Sequence, residues 1–225
     1  MLTFTCLGAE TKIVAPTFDT LIVAGWTGRD TAALEHHIEE LAALGVPRPS
    51  SVPVFYRNSV NNLTQTTRLE VLGPDTSGEV EPVLFALDTG LWLGVGSDHT
   101  DRKAETMGIA LSKQLCGKVI GNTLWPLAEV VDHWDQLIIR SYATIDGARV
   151  LYQEGPLSGM RTPADLLQRY DGSTALKAGS VMFCGTVGAK GGIRPASRFE
   201  MEIEDPVRGR KLGHAYDVVA LPVVS

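Results

Sequence analysis

Residues 78–85 read Gly78-Glu79-Val80-Glu81-Pro82-Val83-Leu84-Phe85. On a strand, side chains alternate between faces, so Glu79 and Glu81 share one face with Cα atoms about 6.5–7 Å apart. Residues 82–87 are wholly apolar, as expected of a strand entering a core. Similar signals lie to either side. Residues 2–7, 20–26, 69–72 and 91–95 are short apolar or alternating runs bounded by turn residues. Residues 137–144 and 148–152 flank Asp146-Gly147, a hairpin turn pair. Residues 179–185, 198–204 and 216–224 make the C-terminal half rich in strand. A helix is expected over 31–44, with Leu34, Ile38, Leu41 and Ala42 on one stripe and Gly45-Val46-Pro47 as its stop. A second starts near Thr162, with Pro163 at the first helical position and Asp165 as the capping-box acid. A third is expected over 102–115. The sum is a β-dominated α+β fold class, not an alternating βαβ enzyme.

The chain has 225 residues, the length of one large domain. Hydrophobic residues at 44% and charged residues at 20% exclude a disordered chain. The net charge of −6 argues against nucleic acid or an anionic membrane as partner. No apolar run reaches the length of a membrane-spanning helix, and the N-terminus lacks a signal peptide's basic and apolar regions. Cys6, Cys116 and Cys184 lie far apart without a CxxC. They are expected to be small buried hydrophobes in a reducing, cytoplasmic protein.

Metal-assisted chemistry needs acids that converge. Hard cations such as Mg²⁺ take oxygen ligands, typically a few carboxylates with water and substrate. Glu79 and Glu81 are one candidate start. Glu200, Glu202 and Glu204 are another, but there the acids alternate with Phe199, Met201 and Ile203, which reads as a solvated sheet face. The first has the richer context: Gly96-Ser97-Asp98-His99-Thr100-Asp101-Arg102 follows an apolar strand and is dense in ionisable groups. His99, His133 and His214 lack ligand-like spacing, and Trp125 and Trp134 are expected in the core.

Taken in order, these segments resemble the fumarylacetoacetate hydrolase superfamily, and more narrowly a bacterial branch of unknown function, over about residues 25–205. Gly28-Arg29 followed by His37-Ile38-Glu39-Glu40-Leu41 resembles that family's GRNYxxHxxEL segment, although Asp30-Thr31 replaces Asn-Tyr and the gap is three residues longer. Pro47-Arg48-Pro49 through Val54-Phe55-Tyr56-Arg57 resembles its P-x-x-P-x-x-F-x-K stretch. Glu79-Val80-Glu81 resembles the metal-binding ExE, and Asp98-His99-Thr100-Asp101-Arg102 the D-x-T-x-R motif. Ser112-Lys113 and the Cys184-Gly185-Thr186 loop resemble the later segments, and Glu105 stands where the family often has Gln.

The resemblance implies a mixed β-sheet roll with a few peripheral helices. It implies one catalytic domain over 1–225, with 1–24 a short N-terminal β segment, and a homodimer. Glu79, Glu81 and Asp98 would hold Mg²⁺ or Mn²⁺. His37 and Glu40 would activate water, with His36 and Glu39 at the same spacing as the alternative pair. Lys113 would act beside the metal, Lys118 being a weaker candidate, and Arg29, Arg57, Arg102 and Thr186 would contact substrate. The implied activity is hydrolysis of a C–C bond in a small, acylpyruvate-like 2-oxo acid through a metal-stabilised enolate. A 2-oxo acid decarboxylase or tautomerase, or a non-catalytic ligand-binding homologue, stays open beside it.

Overall fold

Two mixed sheets carry the fold, and the strand Val80–Leu87 lies in the middle of the larger one. The computed structural model describes residues 1–43 and 48–224, without the side chains of Ala33, His37, Glu40, Leu41, Ala42 and Ala43. Along the larger sheet the order is Thr11–Val14, Phe4–Leu7, Thr123–Pro126, Gly90–Ser97, Val80–Leu87, Ser180–Phe183, Thr20–Gly25 and Val54–Asn58. Lys118–Ile120 pairs beside Gly90–Ser97 and bridges to Leu63–Thr64. The second sheet runs Ala148–Pro156, Ile138–Ile145, Arg198–Asp205, Arg210–Leu221 and Arg68–Leu72. Helices are few and peripheral, so the architecture is the β-dominated roll of the expectation.

Alternation explains the apolar run of the central strand. Leu84 and Ala86 face one core, which includes Leu93, Val95 and Met182 and is closed by Phe199, Met201 and Ile203 of the second sheet. Val83 and Phe85 face the other, with Phe4, Leu21, Val23 and Phe183. A strand covered on both faces reads as continuous apolar sequence. The glycines of Gly90–Ser97 make room for these rings: a Cβ at Gly94 or Gly96 would stand 2.7 Å from Phe85 or Phe183 respectively. All three cysteines are free and buried, and Trp125 and Trp134 are core residues. The three strand glutamates of Arg198–Asp205 line a charged outer face, where they meet Arg140, Arg149 and Lys211.

Local signals set the ends of several elements. Asp146 and Gly147 take φ of 50° and 79°, the left-handed pair of a tight hairpin turn. Thr162 caps the helix Pro163–Asp171 by accepting from the Asp165 N–H at 3.3 Å, and Gly172 ends it at φ 77°. The Asp165 carboxylate turns instead to Arg161 and Arg169. The helix Thr31–Ala43 is present, while its expected stop at Gly45-Val46-Pro47 lies outside the described residues. The helix expected over 102–115 is broken into Arg102–Glu105 and Ile109–Gln114, with Gly108 extended between them. Among the described residues, no helix is long and apolar enough to cross a membrane.

Candidate metal centre

The hairpin register brings the three acids together. Val80 pairs with Ser97, and the Asp98 N–H donates to the Glu79 carbonyl at 3.0 Å, so Asp98 lies across from Glu79. Glu81 sits two residues further in on the same strand face. One oxygen from each of Glu79, Glu81 and Asp98 lies within 4.8 Å of the others. Ligands of an octahedral cation with bonds of about 2.1 Å are separated by roughly 3–4 Å. A small contraction would therefore close this set on one ion.

The charges around the acids test that fit. Glu81 is fully buried, and its Oε2 accepts from the Gly185 N–H at 2.7 Å. Burial first, and then Asp98 and Glu79, push Glu81 well above the usual carboxylate range, against the pull of Lys113 and Gly185. Burial and the neighbouring carboxylates thus favour the protonated form of Glu81, despite the nearby Lys113. Burial also acts against the Asp98 carboxylate, but Lys113 and Lys118 prevail and hold it down at about 2. Lys118 Nζ lies 2.9 Å from Asp98 Oδ1 yet aligns with the His99 carbonyl at 2.6 Å, so Oδ1 is buried without an aligned hydrogen bond. A buried acceptor and a protonation-prone glutamate are the features a divalent cation would satisfy.

Lys113 comes from the helix Ile109–Gln114, which Asn58 and Asn62 anchor through the carbonyls of Lys113 and Gln114. Its ammonium is hydrogen-bonded to Asp98 and lies 3.8 Å from Glu79. Desolvation lowers its pKa, but Asp98, Glu79 and Glu81 outweigh that and keep it charged. Lys113 is therefore a fixed positive charge rather than a base. Lys118 is wholly buried behind Asp98.

Arg102 is held on every nitrogen. Nε donates to Ser77 at 2.7 Å, Nη2 to Glu79 at 2.8 Å, and Nη1 to Glu105 at 3.0 and 3.3 Å. His99, which the motif places between these residues, is a structural link. Its ring nitrogens meet the Tyr216 hydroxyl at 2.8 Å and Thr76 at 2.9 Å. Burial, Lys118 and Arg102 lower it to about 3, so it stays neutral. Tyr216 in turn donates to Ser97 at 2.8 Å, beside the acids.

A cavity of about 440 Å³ opens over the acids, lined among others by Trp26, Leu34, Tyr56, Glu79, Glu81, Arg102, Lys113, Gln153 and Thr186. Thr186 donates to the Val80 carbonyl at 2.6 Å and accepts from Gln153 at 2.8 Å. Gly185 ahead of it has φ 96°, and a Cβ there would come within 1.8 Å of Thr27, so the loop that caps Glu81 requires glycine.

Two expected substrate contacts are not brought to this cavity. Arg57 is exposed and, by strand alternation, faces away from Tyr56, which lines the cavity in its place. Arg29 is held by Asp135 in a bidentate pair at 2.7 and 2.8 Å and by the Met160 carbonyl at 3.0 Å. The side chains of His37 and Glu40 lie outside the described residues, while Leu34, on the same helix, lines the cavity. Tyr56 and Gln153 carried no motif of their own. Their place here depends on pairings distant in sequence.

A family model described as protein of unknown function (DUF2848) matches residues 24–216. No curated protein sequence matches the chain. Among solved structures, that of Cg1458 with inhibitor aligns with a TM-score of 0.65 at 18% identity, over 94% of this chain and 81% of the other. The structure of 2-keto-3-deoxy-D-arabinonate dehydratase complexed with magnesium and 2,5-dioxopentanoate aligns with a TM-score of 0.62 at 13% identity, over 96% and 78%. At these identities the likeness carries the fold.

Proposed function

The chain belongs to the DUF2848 family, and from that premise we propose that it is a divalent-metal-dependent enzyme acting on a small 2-oxo acid. The observation that carries this reading is the convergence of Glu79, Glu81 and Asp98, of which Glu79 and Glu81 line a cavity together with Lys113 while Asp98 lies buried behind them. The magnesium and 2,5-dioxopentanoate bound by the structurally similar dehydratase support the same class of cofactor and ligand. Mg²⁺ or Mn²⁺ held by the three acids would supply Lewis acidity to a keto oxygen.

The protein's own groups do the rest. With Glu81 ionised by a bound cation, Glu79, Glu81, Asp98 and Glu105 would contribute four negative charges, against three positive from Arg102, Lys113 and Lys118. A dication turns this sum of −1 into +1, which one carboxylate of a 2-oxo acid neutralises. Lys113 stabilises negative charge developing on the keto oxygen. Thr186, locked by Gln153, positions the substrate at the cavity wall. His37, oriented by Glu40 or replaced in role by His36 and Glu39, takes a proton from water. Helical spacing puts position 37 one turn on from the cavity-lining Leu34. With that base the reaction is C–C bond hydrolysis within one catalytic domain, in a homodimer.

A second reading, water elimination from a 3-deoxy-2-oxo acid, is favoured by the aligned dehydratase structure. Decarboxylation or tautomerisation needs the same metal site without the water-activating base. Product analysis by NMR separates these. With Mg²⁺, wild type should cleave an acylpyruvate into pyruvate and a carboxylic acid, and His37→Ala should lower that rate by about 10²–10⁴-fold. Conversion of 2-keto-3-deoxy acids or oxaloacetate alone, undiminished in His37→Ala, would overturn the hydrolase in favour of the eliminating or decarboxylating reading.

A further inference from the structure

The charge balance of the cavity wall extends beyond the acids. Arg102 is the cation a substrate's far carboxylate would be expected to find, but each of its three nitrogens is already engaged by Ser77, Glu79 or Glu105. Glu105 neutralises it from the cavity side and is itself part of the lining. Lys113 and Lys118 are both committed to Asp98. A second cavity of about 280 Å³ shares Tyr56, Glu105 and Ile109 with the first and continues past Val54, Met107 and Ala110. Arg48, on its rim, is paired with Glu35. Among the described residues, then, the route away from the acids mixes apolar side chains with the hydroxyls of Ser50, Tyr56 and Thr106 and the Glu105 carboxylate, and offers no uncommitted cation.

We infer that Glu105 is a specificity residue: the site accepts monoanionic 2-oxo acids with an uncharged, partly apolar far end and rejects dicarboxylates. This rests on the reading of the metal centre given above. One carboxylate and the keto oxygen engage the centre, whose sum with a dication is +1. A second carboxylate would enter a site already neutral and face the Glu105 carboxylate, which would repel it. The far end passes between Tyr56 and Ile109 into the smaller cavity.

The test uses two probes with the same five-carbon chain, 2-oxopentanoate and 2-oxoglutarate, which differ only in the far carboxylate. Each is titrated calorimetrically into the Mn²⁺-loaded chain. Wild type should bind 2-oxopentanoate at least about tenfold more tightly. Glu105→Gln, which preserves size and one acceptor for Arg102, should bring the ratio below about threefold or invert it. Glu105→Asp should keep the preference, and thermal unfolding verifies that each variant is folded. Equal binding by wild type, or an unchanged ratio in folded Glu105→Gln, would overturn the inference and leave the metal centre standing. Binding of neither probe with Mn²⁺ in place would overturn the 2-oxo acid reading and this inference with it.

Discussion

Asp98→Asn is expected to destabilise the metal-free protein by about 3–5 kcal/mol, a larger loss than removal of any other acid in the centre. Asp98 is fully buried, and so is Lys118, whose partners are Asp98 at 2.9 Å and the His99 carbonyl at 2.6 Å. An amide leaves Lys118 a buried ammonium group without its counter-charge, and leaves Lys113 with Glu79 at 3.8 Å in place of its nearer partner. Removing one stranded charge should restore part of the loss, so Asp98→Asn/Lys118→Met should unfold at higher urea than Asp98→Asn alone. The pH dependence has a definite sign. Asp98 titrates near 2 in the folded chain, below the usual 3.8, so its stabilisation is complete above about pH 4 and is lost as pH falls toward 2. Urea midpoints for the three proteins check this. An Asp98→Asn within about 1 kcal/mol of wild type would mean that the lysines do not depend on Asp98.

Glu81→Gln should act in the opposite direction on stability and still abolish function. Burial and two neighbouring carboxylates make ionised Glu81 costly, and its pKa is raised. A raised carboxyl pKa means that its contribution to stability is fullest below the unfolded value and falls as pH rises through the folded one. Without metal at pH 8, the neutral amide should therefore unfold at the same or a higher temperature than wild type, since it can still accept from Gly185. With Mg²⁺ present, turnover should drop about 10³-fold, because a cation deprived of one ligand forfeits several kcal/mol of charge stabilisation. Thermal unfolding with and without Mg²⁺, beside single-turnover rates, reads both. Retained turnover in Glu81→Gln would remove it from the centre. A large drop in stability without metal would mean that the ionised carboxylate is a structural anchor.

The parts legible in the sequence were those set by short-range rules. Alternation put Glu79 and Glu81 on one face, and the hairpin to Ser97 set Asp98 opposite them. Thr162, Gly172 and Asp146-Gly147 marked ends and turns through local backbone chemistry. The break between Arg102–Glu105 and Ile109–Gln114 was masked by an apolar pattern that suits one long helix. Tyr56 reaches the cavity through the pairing of its strand with Val23, and Gln153 through hydrogen bonds to Val80 and Thr186, while Ser180–Phe183 lies between Val80–Leu87 and Thr20–Gly25. The carboxylate partners of the arginines were not legible. Arg29 found Asp135, 106 residues away, and Arg102 found Glu105, because a guanidinium binds whichever carboxylate the fold brings nearest.

The central claim is that Glu79, Glu81 and Asp98 hold one divalent cation. Mn²⁺ titration of the metal-free chain by calorimetry, in two buffers of different ionisation heat, tests it most directly. The predicted result is one saturable site per chain, with protons released from Glu81 on binding, and the site lost in a folded Glu79→Ala/Glu81→Ala variant. No saturable binding by wild type, or binding undiminished in that variant, would contradict it.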